Sequence, residues 1–170
     1  MRIAVTGRPG IGKTTLCVRV YEMLKDTKSV SGFVTREIRE GGRRVGFKLV
    51  NLEDGSEAWL ARVGRGSADG RSWARVGKYT VDVEALEGFL QGVNIDAELI
   101  IIDEVGPMEL KSRRFVEFVE KAREKDSILV TVHYRSKHWL VEKIRREFKL
   151  YILDEANRDF LPRKIAEELG

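Results

Sequence analysis

The 170 residues, with a hydrophobic fraction of 42%, are enough to bury about two-thirds of the surface of the unfolded chain, which predicts one domain over residues 1–170. The 31 basic residues against 27 acidic ones give a net charge of +4, a mild excess that neither implies nor excludes nucleic acid. Cys17 is the only cysteine, which excludes a disulfide framework and a cysteine metal site. With no leader segment and no apolar run near ~20 residues, we expect a cytoplasmic, monomeric protein without membrane contact.

The first predicted strand, Ile3-Ala4-Val5, runs into a glycine-rich loop followed by a helix. The loop meets the spacing G-x-x-x-x-G-K-T of a phosphate-binding loop. Glycines let successive backbone N–H groups approach phosphate oxygens, and the following helix directs its positive dipole end at the same point. We predict that Lys13 reaches the β and γ phosphates and that Thr14 offers a hydroxyl to Mg²⁺. The predicted phosphate-binding residues are Gly7, Arg8, Pro9, Gly10, Ile11, Gly12, Lys13, Thr14 and Thr15.

The next segments predict a helix and then a hairpin-rich insertion. Leu16, Cys17, Val20 and Leu24 recur at helical spacing, which predicts a helix from residue 13 to about 25. Residues 31–40 and 43–50 flank Gly41-Gly42, the turn chemistry of a β-hairpin, and 58–61 form a further short strand. Residues 62–78 are basic and glycine-rich, and the sequence leaves open whether they close over phosphates, meet an acidic partner or form a solvated loop.

The second half of the chain alternates strands and helices. Residues 79–81 are predicted to be extended, and Asp82 is the predicted N-cap of the helix that follows. One face of that helix carries Leu86, Phe89, Leu90 and Val93. Ser112 is the predicted N-cap of the next helix. The apolar runs 99–102 and 127–132 predict buried parallel strands. A helix with Leu140 and Ile144, a strand at 150–153 and a closing helix with Pro162 follow. This order predicts a three-layer α/β domain with a mainly parallel central sheet and an inserted β-hairpin.

Two carboxylates, Asp103 and Glu104, follow the first of those apolar runs. The four apolar residues leading into Asp103 resemble the second half of a P-loop NTPase site of the RecA/ASCE-like type, in which the aspartate holds Mg²⁺ opposite the loop threonine, here Thr14. The adjacent Glu104 is placed to orient or deprotonate an attacking water, and general-base help of this kind is worth about 10²- to 10⁴-fold. The predicted metal ligands are therefore Thr14 and Asp103, and the predicted catalytic residues are Glu104 and Lys13. All should lie at the carboxyl ends of the strands.

Histidines and arginines leave more than one interpretation open. His133, at the end of a predicted strand, can touch the γ phosphate or cap exposed carbonyls, whereas His138 reads as a surface residue. An arginine that balances charge in the transition state is expected by analogy. The candidates are Arg8, Arg113, Arg135 and Arg158, and the sequence does not choose among them.

The sequence resembles the THEP-type nucleoside-triphosphatases, which include the cancer-related nucleoside-triphosphatase. The resemblance covers nearly the whole chain, and its segments are GRPGIGKTT, GFVTREIREGGRRVGFKLV, RVGKYTVDVEALE, LIIIDEVGPMEL and NRD. It implies Mg²⁺-dependent hydrolysis of ATP, GTP and other nucleoside triphosphates to diphosphate and phosphate, with weak base discrimination.

Other functions fit parts of the sequence. Residues Asp103 to Gly106 match the D-x-x-G of a GTPase switch, but N-K-x-D is absent and Asn157-Arg158-Asp159 lacks its spacing. A nucleotide or polynucleotide kinase is the stronger alternative, because the same loop transfers phosphoryl groups to acceptors. A binding module with a degenerate site is disfavoured by the intact loop and carboxylates. An aromatic residue or the Asn157-Arg158 segment is the candidate for contact with the base.

Overall fold

The computed structural model describes residues 1–64 and 72–170, so residues 65–71 of the predicted basic loop, with Arg65 and Arg71, lie outside the described residues. The elements are β1 (Arg2–Thr6), α1 (Lys13–Leu24), β2 (Val30–Glu40), β3 (Arg43–Asn51), β4 (Glu57–Val63), β5 (Trp73–Val76), β6 (Tyr79–Asp82), α2 (Val83–Leu90), β7 (Leu99–Val105), a 3₁₀ turn (Glu109–Lys111), α3 (Arg113–Ala122), β8 (Ile128–Val132), α4 (Trp139–Glu147), β9 (Lys149–Ile152) and α5 (Leu161–Leu169).

The described strands form one sheet in the order β5-β6-β4-β3-β2-β7-β8-β1-β9. Five of them, β2, β7, β8, β1 and β9, are paired in parallel. The remaining four, β3, β4, β6 and β5, extend the sheet in antiparallel pairing, and we call them the antiparallel wing. Strand β8 lies between β1, which leads into the phosphate loop, and β7, which carries the carboxylates. The carboxyl ends of β1, β7 and β8 therefore share one edge of the sheet.

Helices cover both faces of the parallel strands. Helices α1 and α5 pack on one face with Ile3, Val5 and Ile101, and the other face packs against α2, α3 and α4 through a larger cluster that contains Phe33 and Phe115. The uninterrupted apolar run of β7 follows from this arrangement, because both faces of that strand are buried. The prediction of a three-layer α/β fold with parallel strands at its centre is confirmed.

Local sequence signals account for several element ends. Gly41 and Gly42 have φ of 55° and 76°, as the tight turn between β2 and β3 requires. Asp82 accepts a hydrogen bond from the Ala85 N–H at 3.0 Å, and Ser112 accepts one from the Phe115 N–H at 3.0 Å, so both predicted N-caps are confirmed.

The structure differs from the sequence-based expectation at three places. The insertion is larger than one hairpin, because β5 and β6 complete a four-stranded wing, and β5 lies within the stretch interpreted as a loop. Helix α2 ends at Leu90, so Val93 is buried beyond the helix rather than on its face. His138 is the N-cap of α4, where its Nδ1 accepts a hydrogen bond from the Leu140 N–H at 3.1 Å.

No helix within residues 1–64 and 72–170 is both long and apolar enough to cross a bilayer.

Candidate active site

The phosphate loop is shaped by glycine conformations and by the neighbouring strand end. Gly10 and Gly12 have φ of 80° and 119°, which side chains disfavour. A Cβ on Gly7 would lie 2.8 Å from the Leu153 carbonyl oxygen, so only glycine allows the loop this close to the chain after β9. Gly12 is the N-cap of α1 and makes no side-chain cap, which leaves the first backbone N–H groups of the helix available to an anion.

Lys13 extends back over this loop. Its Nζ donates to the Gly7 carbonyl at 2.6 Å, and its side chain is only 11% exposed. Ile11, in contrast, is buried in the core beside α1, and the Arg8 side chain turns outward to pair with Glu155. The loop thus offers backbone groups and the Lys13 ammonium, while the side chains of Ile11 and Arg8 serve to anchor it.

Asp103 is a buried carboxylate held by three threonines from three elements. Thr14 of α1 donates to Oδ2 at 2.6 Å, and Thr131 of β8 donates to Oδ1 at 2.7 Å. Thr35 of β2 donates its backbone N–H to Oδ2 at 3.2 Å and its hydroxyl to the Asp103 carbonyl at 2.7 Å. Burial raises the pKa of Asp103, and these hydrogen bonds and Lys13 oppose that rise.

Glu104 faces Lys13 across the loop, with Oε2 at 4.0 Å from Nζ. Burial, followed by repulsion from Asp103, raises the pKa of Glu104 to about 7, against the opposing effect of Lys13. The structure therefore brings together the four residues that the sequence predicted for the reaction, Lys13, Thr14, Asp103 and Glu104.

A third carboxylate, Glu109, lies behind Glu104 and was not singled out from the sequence. It begins the 3₁₀ turn, is 4% exposed and accepts a hydrogen bond from the Gly106 N–H at 3.1 Å. Burial and the nearby Glu104 raise its pKa well above the usual range. The only sequence signal for Glu109 was its position between two apolar residues, and that position does not show that its side chain is buried.

His133 follows β8 directly and lines the same site. Its backbone N–H donates to the Val105 carbonyl at 3.1 Å, and its Nδ1 accepts from the Arg135 N–H at 3.2 Å. Burial, followed by the positive charges of Lys13, Arg145 and Arg135, lowers the pKa of His133, which favours its neutral form. Arg145 of α4 fixes this segment by donating to the carbonyls of His133 and Tyr134 at 2.7 and 3.1 Å.

These groups open onto a cavity of about 750 Å³ that crosses the carboxyl edge of the sheet. The cavity includes Arg36 and Arg44 from the hairpin, neither of which the sequence singled out. Its lining consists of Pro9, Gly10, Gly12, Lys13, Thr14, Thr15, Val18, Val34, Thr35, Arg36, Glu37, Arg44, Phe47, Val50, Leu60, Val76, Asp103, Glu104, Pro107, Met108, Glu109, His133 and Tyr134.

The four arginines proposed from the sequence are not part of this lining. Arg113 is on α3, 92% exposed and paired with Glu117. Arg135 approaches the Tyr134 ring, and Arg158 is exposed in the turn after β9. The sequence alone did not show that arginines of the β2–β3 hairpin would line the cavity.

The oxygen donors fit Mg²⁺. Thr14 and Asp103 bring a hydroxyl and a carboxylate to one point, and hard oxygen ligands are those that Mg²⁺ prefers. In the described part of the chain no group of three or more His, Cys, Asp or Glu side chains is arranged to hold a metal ion. A metal at Thr14 and Asp103 would therefore take its other ligands from phosphates and water.

Comparisons with known proteins find relatives that match nearly the whole chain. A family model described as NTPase matches residues 2–166. The nucleoside-triphosphatase THEP1 of Archaeoglobus fulgidus is 59% identical over 99% of this chain and 96% of its own length. That of Methanosarcina barkeri is 44% identical over 98% and 95%.

Solved structures are similar over the full length as well. The crystal structure of THEP1 from Aquifex aeolicus has a TM-score of 0.79 and 32% identity, covering 100% of this chain and 99% of that one. The solution structure of a human cancer-related nucleoside triphosphatase has a TM-score of 0.79 and 33% identity, covering 99% and 97%. The chain therefore belongs to the NTPase family.

Proposed function

We propose that this protein hydrolyses ATP, GTP and other nucleoside triphosphates to the diphosphate and phosphate, in a Mg²⁺-dependent reaction with low base specificity. The observation that carries the proposal is the placement of the Glu104 carboxylate beside Lys13, with the Thr14–Asp103 pair next to them. The matched relatives, which are named nucleoside-triphosphatases, support it.

Each residue has a physical role in this proposal. The α1 N-terminus and Lys13 bind the phosphate oxygens and stabilise the charge that develops on them. Glu104 accepts a proton from the attacking water, and a pKa of about 7 suits a general base at neutral pH. Mg²⁺, when bound through Thr14 and Asp103, would offset negative charge on the phosphates. Thr35 and Thr131 keep the Asp103 carboxylate in place.

In the candidate base-contacting segment, the side chain of Asn157 also holds the local turn. The side-chain amide of Asn157 forms two hydrogen bonds within the local turn. Its Oδ1 accepts from the Asp154 N–H at 2.9 Å, and its Nδ2 donates to the Ile152 carbonyl at 2.8 Å. The turn thus uses one lone pair of Oδ1 and one of the two N–H groups of Nδ2, and it fixes the orientation of the amide. The cytoplasmic location and the monomeric state stay predictions.

The test is phosphate release by the purified protein with Mg²⁺ and each common NTP and dNTP in turn, without any acceptor. We expect release with all of them, and release only after addition of a nucleoside, monophosphate or nucleic-acid end would contradict the proposal. Lys13→Ala should abolish turnover and weaken nucleotide binding. Glu104→Gln should keep binding and lose about 10²- to 10⁴-fold in hydrolysis. Arg113→Ala, an exposed change on α3, is the control.

A further inference from the structure

One face of the antiparallel wing and of the adjoining end of β2 carries a row of cations. In the strand register, Arg36 of β2 pairs with Lys48 of β3, and Lys48 pairs with Trp59 of β4. Further along, Arg62 of β4 pairs with Thr80 of β6, and Thr80 pairs with Arg75 of β5. Directly paired residues project to the same side of a sheet. The row thus crosses five strands.

The opposite face of the wing is the one that the core covers. Leu60 and Val81 lie there in the cluster that also contains Leu86 and Leu90 of α2. On the cation-bearing face, Arg36, Arg62 and Arg75 are exposed. We call this exposed face, with Arg36, Lys48, Trp59, Arg62 and Arg75, the wing face.

An aromatic ring lies in the middle of the wing face. The Arg62 guanidinium carbon is 3.9 Å from the centroid of the Trp59 ring, and Lys48 Nζ is 4.8 Å from it. Gly46 leaves room for this ring, since a Cβ there would come within 3.0 Å of Trp59 Cζ3 and 2.3 Å of the Ala61 carbonyl oxygen. Rings and guanidinium planes of this kind are the surfaces on which nucleic-acid bases stack.

The charge of the wing face is one-sided. Four cations share this face with Trp59, two of them over its ring, and the carboxylate of Glu57 pairs with a third, Arg36. Of the two acids in the β2–β3 hairpin, Glu37 pairs with Arg39 and Arg44, and Glu40 is exposed beside the turn. A positive surface with an aromatic centre matches a chain of phosphodiesters and bases, whereas an acidic peptide would satisfy the charges and leave the ring without a partner.

The wing face also joins the active-site cavity, because Arg36 and Val50 line that cavity and lie on β2 and β3 beside Lys48. We propose that the wing face binds a single-stranded polynucleotide, with phosphates at the four cations and a base stacked on Trp59 and Arg62. This function goes beyond nucleoside-triphosphate hydrolysis and does not depend on it.

The experiment is fluorescence anisotropy of labelled 12-residue oligothymidylate and oligouridylate with the full-length protein. We expect both to bind, and the affinity to fall roughly 50-fold from 50 to 200 mM salt if all four cations contact phosphates. The double variant Arg62→Ala/Arg75→Ala should reduce the slope of log affinity against log salt by about 1.4. Trp59→Leu should weaken binding at least about fivefold, while Trp59→Phe keeps most of it.

Two control variants separate oligonucleotide binding by the wing face from the proposed hydrolysis of nucleoside triphosphates. Arg113→Ala removes an exposed cation on α3 and should leave oligonucleotide affinity unchanged. Lys13→Ala should also keep it, so that the failure of one proposal does not decide the other. Thermal unfolding by circular dichroism checks the fold. If Trp59→Leu unfolds, the surface pair Lys48→Ala/Arg62→Ala replaces it.

Three results would overturn the proposal. The first is the absence of binding to either oligonucleotide at 50 mM salt. The second is binding that the Trp59 and Arg62 variants leave unchanged. The third is displacement by polyglutamate as effective as displacement by unlabelled oligonucleotide, which would show that charge alone is recognised.

Discussion

At the scale of single residues, Asp103 shows what a sequence reveals and what it conceals. Its type and position after an apolar run predicted a metal ligand paired with Thr14, and the structure places the two 2.6 Å apart. Thr35 and Thr131 were not singled out, because threonine in a strand is an ordinary β-former. Only the register of β2, β7 and β8 shows that both contact Asp103.

Thr131→Val tests this support. Valine has nearly the same shape but removes the buried donor to Asp103 Oδ1, so we expect a loss of roughly 1–3 kcal/mol in the free energy of unfolding. The misplaced carboxylate should also raise the Mg²⁺ concentration needed for half-maximal hydrolysis. Urea unfolding and a Mg²⁺ titration of phosphate release measure the two effects. Thr131→Ser, which keeps the hydroxyl, is the control, and equal behaviour of the two variants would contradict the assignment.

Glu109→Gln tests the buried acid. Because the pKa of Glu109 is raised in the folded state, the folded protein retains a proton that the unfolded chain has released. The stability from this group is therefore complete below pH ~4.5 and is lost as pH rises toward the folded-state pKa. Glutamine stays neutral and can still accept from Gly106.

The measurement for Glu109 is urea unfolding without nucleotide or Mg²⁺ at several pH values between 4.5 and 8. We expect the wild-type free energy of unfolding to fall relative to that of Glu109→Gln as pH rises. Two curves that stay parallel over this range would show that Glu109 does not hold the proton.

At the scale of elements, the approach of β2 to β7 depends on Gly32. Its φ is 124°, and a Cβ there would lie 1.9 Å from the Ile101 carbonyl oxygen. Gly32→Ala must therefore separate the strands or distort them, at a cost of roughly 2–5 kcal/mol. Since Thr35 lies three residues further along β2, we also expect hydrolysis to fall.

Gly88→Ala is the matched control for Gly32→Ala. Gly88 lies in helix α2 with open space around it, and alanine there should stabilise the protein by about 0.5–1 kcal/mol. Thermal unfolding of both variants and phosphate release by Gly32→Ala are the measurements. A Gly32→Ala protein as stable and active as the wild type would show that the strands tolerate separation.

Elements with strong local sequence signals could be predicted, whereas strand β5, whose sequence signal is weak, could not. The apolar run of β7, the Gly41-Gly42 turn and the Asp82 and Ser112 caps each have a direct physical cause in the sequence. Strand β5 has four residues, none of them fully buried, and it depends on pairing with β6. Such a strand is stabilised by tertiary pairing more than by its own propensity, so its sequence resembled a loop.

At the scale of the whole molecule, nucleotide binding should stabilise the fold by mass action. Ligand at 100 times its dissociation constant adds about 2.7 kcal/mol, which corresponds to roughly 5–10 °C in melting temperature for a chain of this size. The measurement is a thermal melt of Glu104→Gln, which limits turnover, with ATP and Mg²⁺. Adding Lys13→Ala should reduce the shift, and an equal shift in both proteins would argue against binding at the phosphate loop.

The layer order of the fold could be predicted from the chain as a whole, because alternating strands and helices leave few arrangements. The shape of the cavity could not be predicted. Arg36 and Arg44 reach it from an antiparallel hairpin whose bend over the site depends on long-range pairing with β4 and β7. The candidate arginines chosen from the sequence do not line the cavity. The two arginines that do line it, Arg36 and Arg44, belong to the insertion.

Strand β2 belongs to both parts of the sheet, since residues up to Phe33 pair in parallel with β7 and residues from Phe33 pair antiparallel with β3. Thr35, two residues after the last parallel pair, is the last residue of β2 that contacts Asp103. We therefore expect an insertion or a deletion in the loops of the wing to leave the groups around Asp103 in place. The fold thus separates the parallel strands that hold Asp103 from a wing whose loops lie away from that carboxylate.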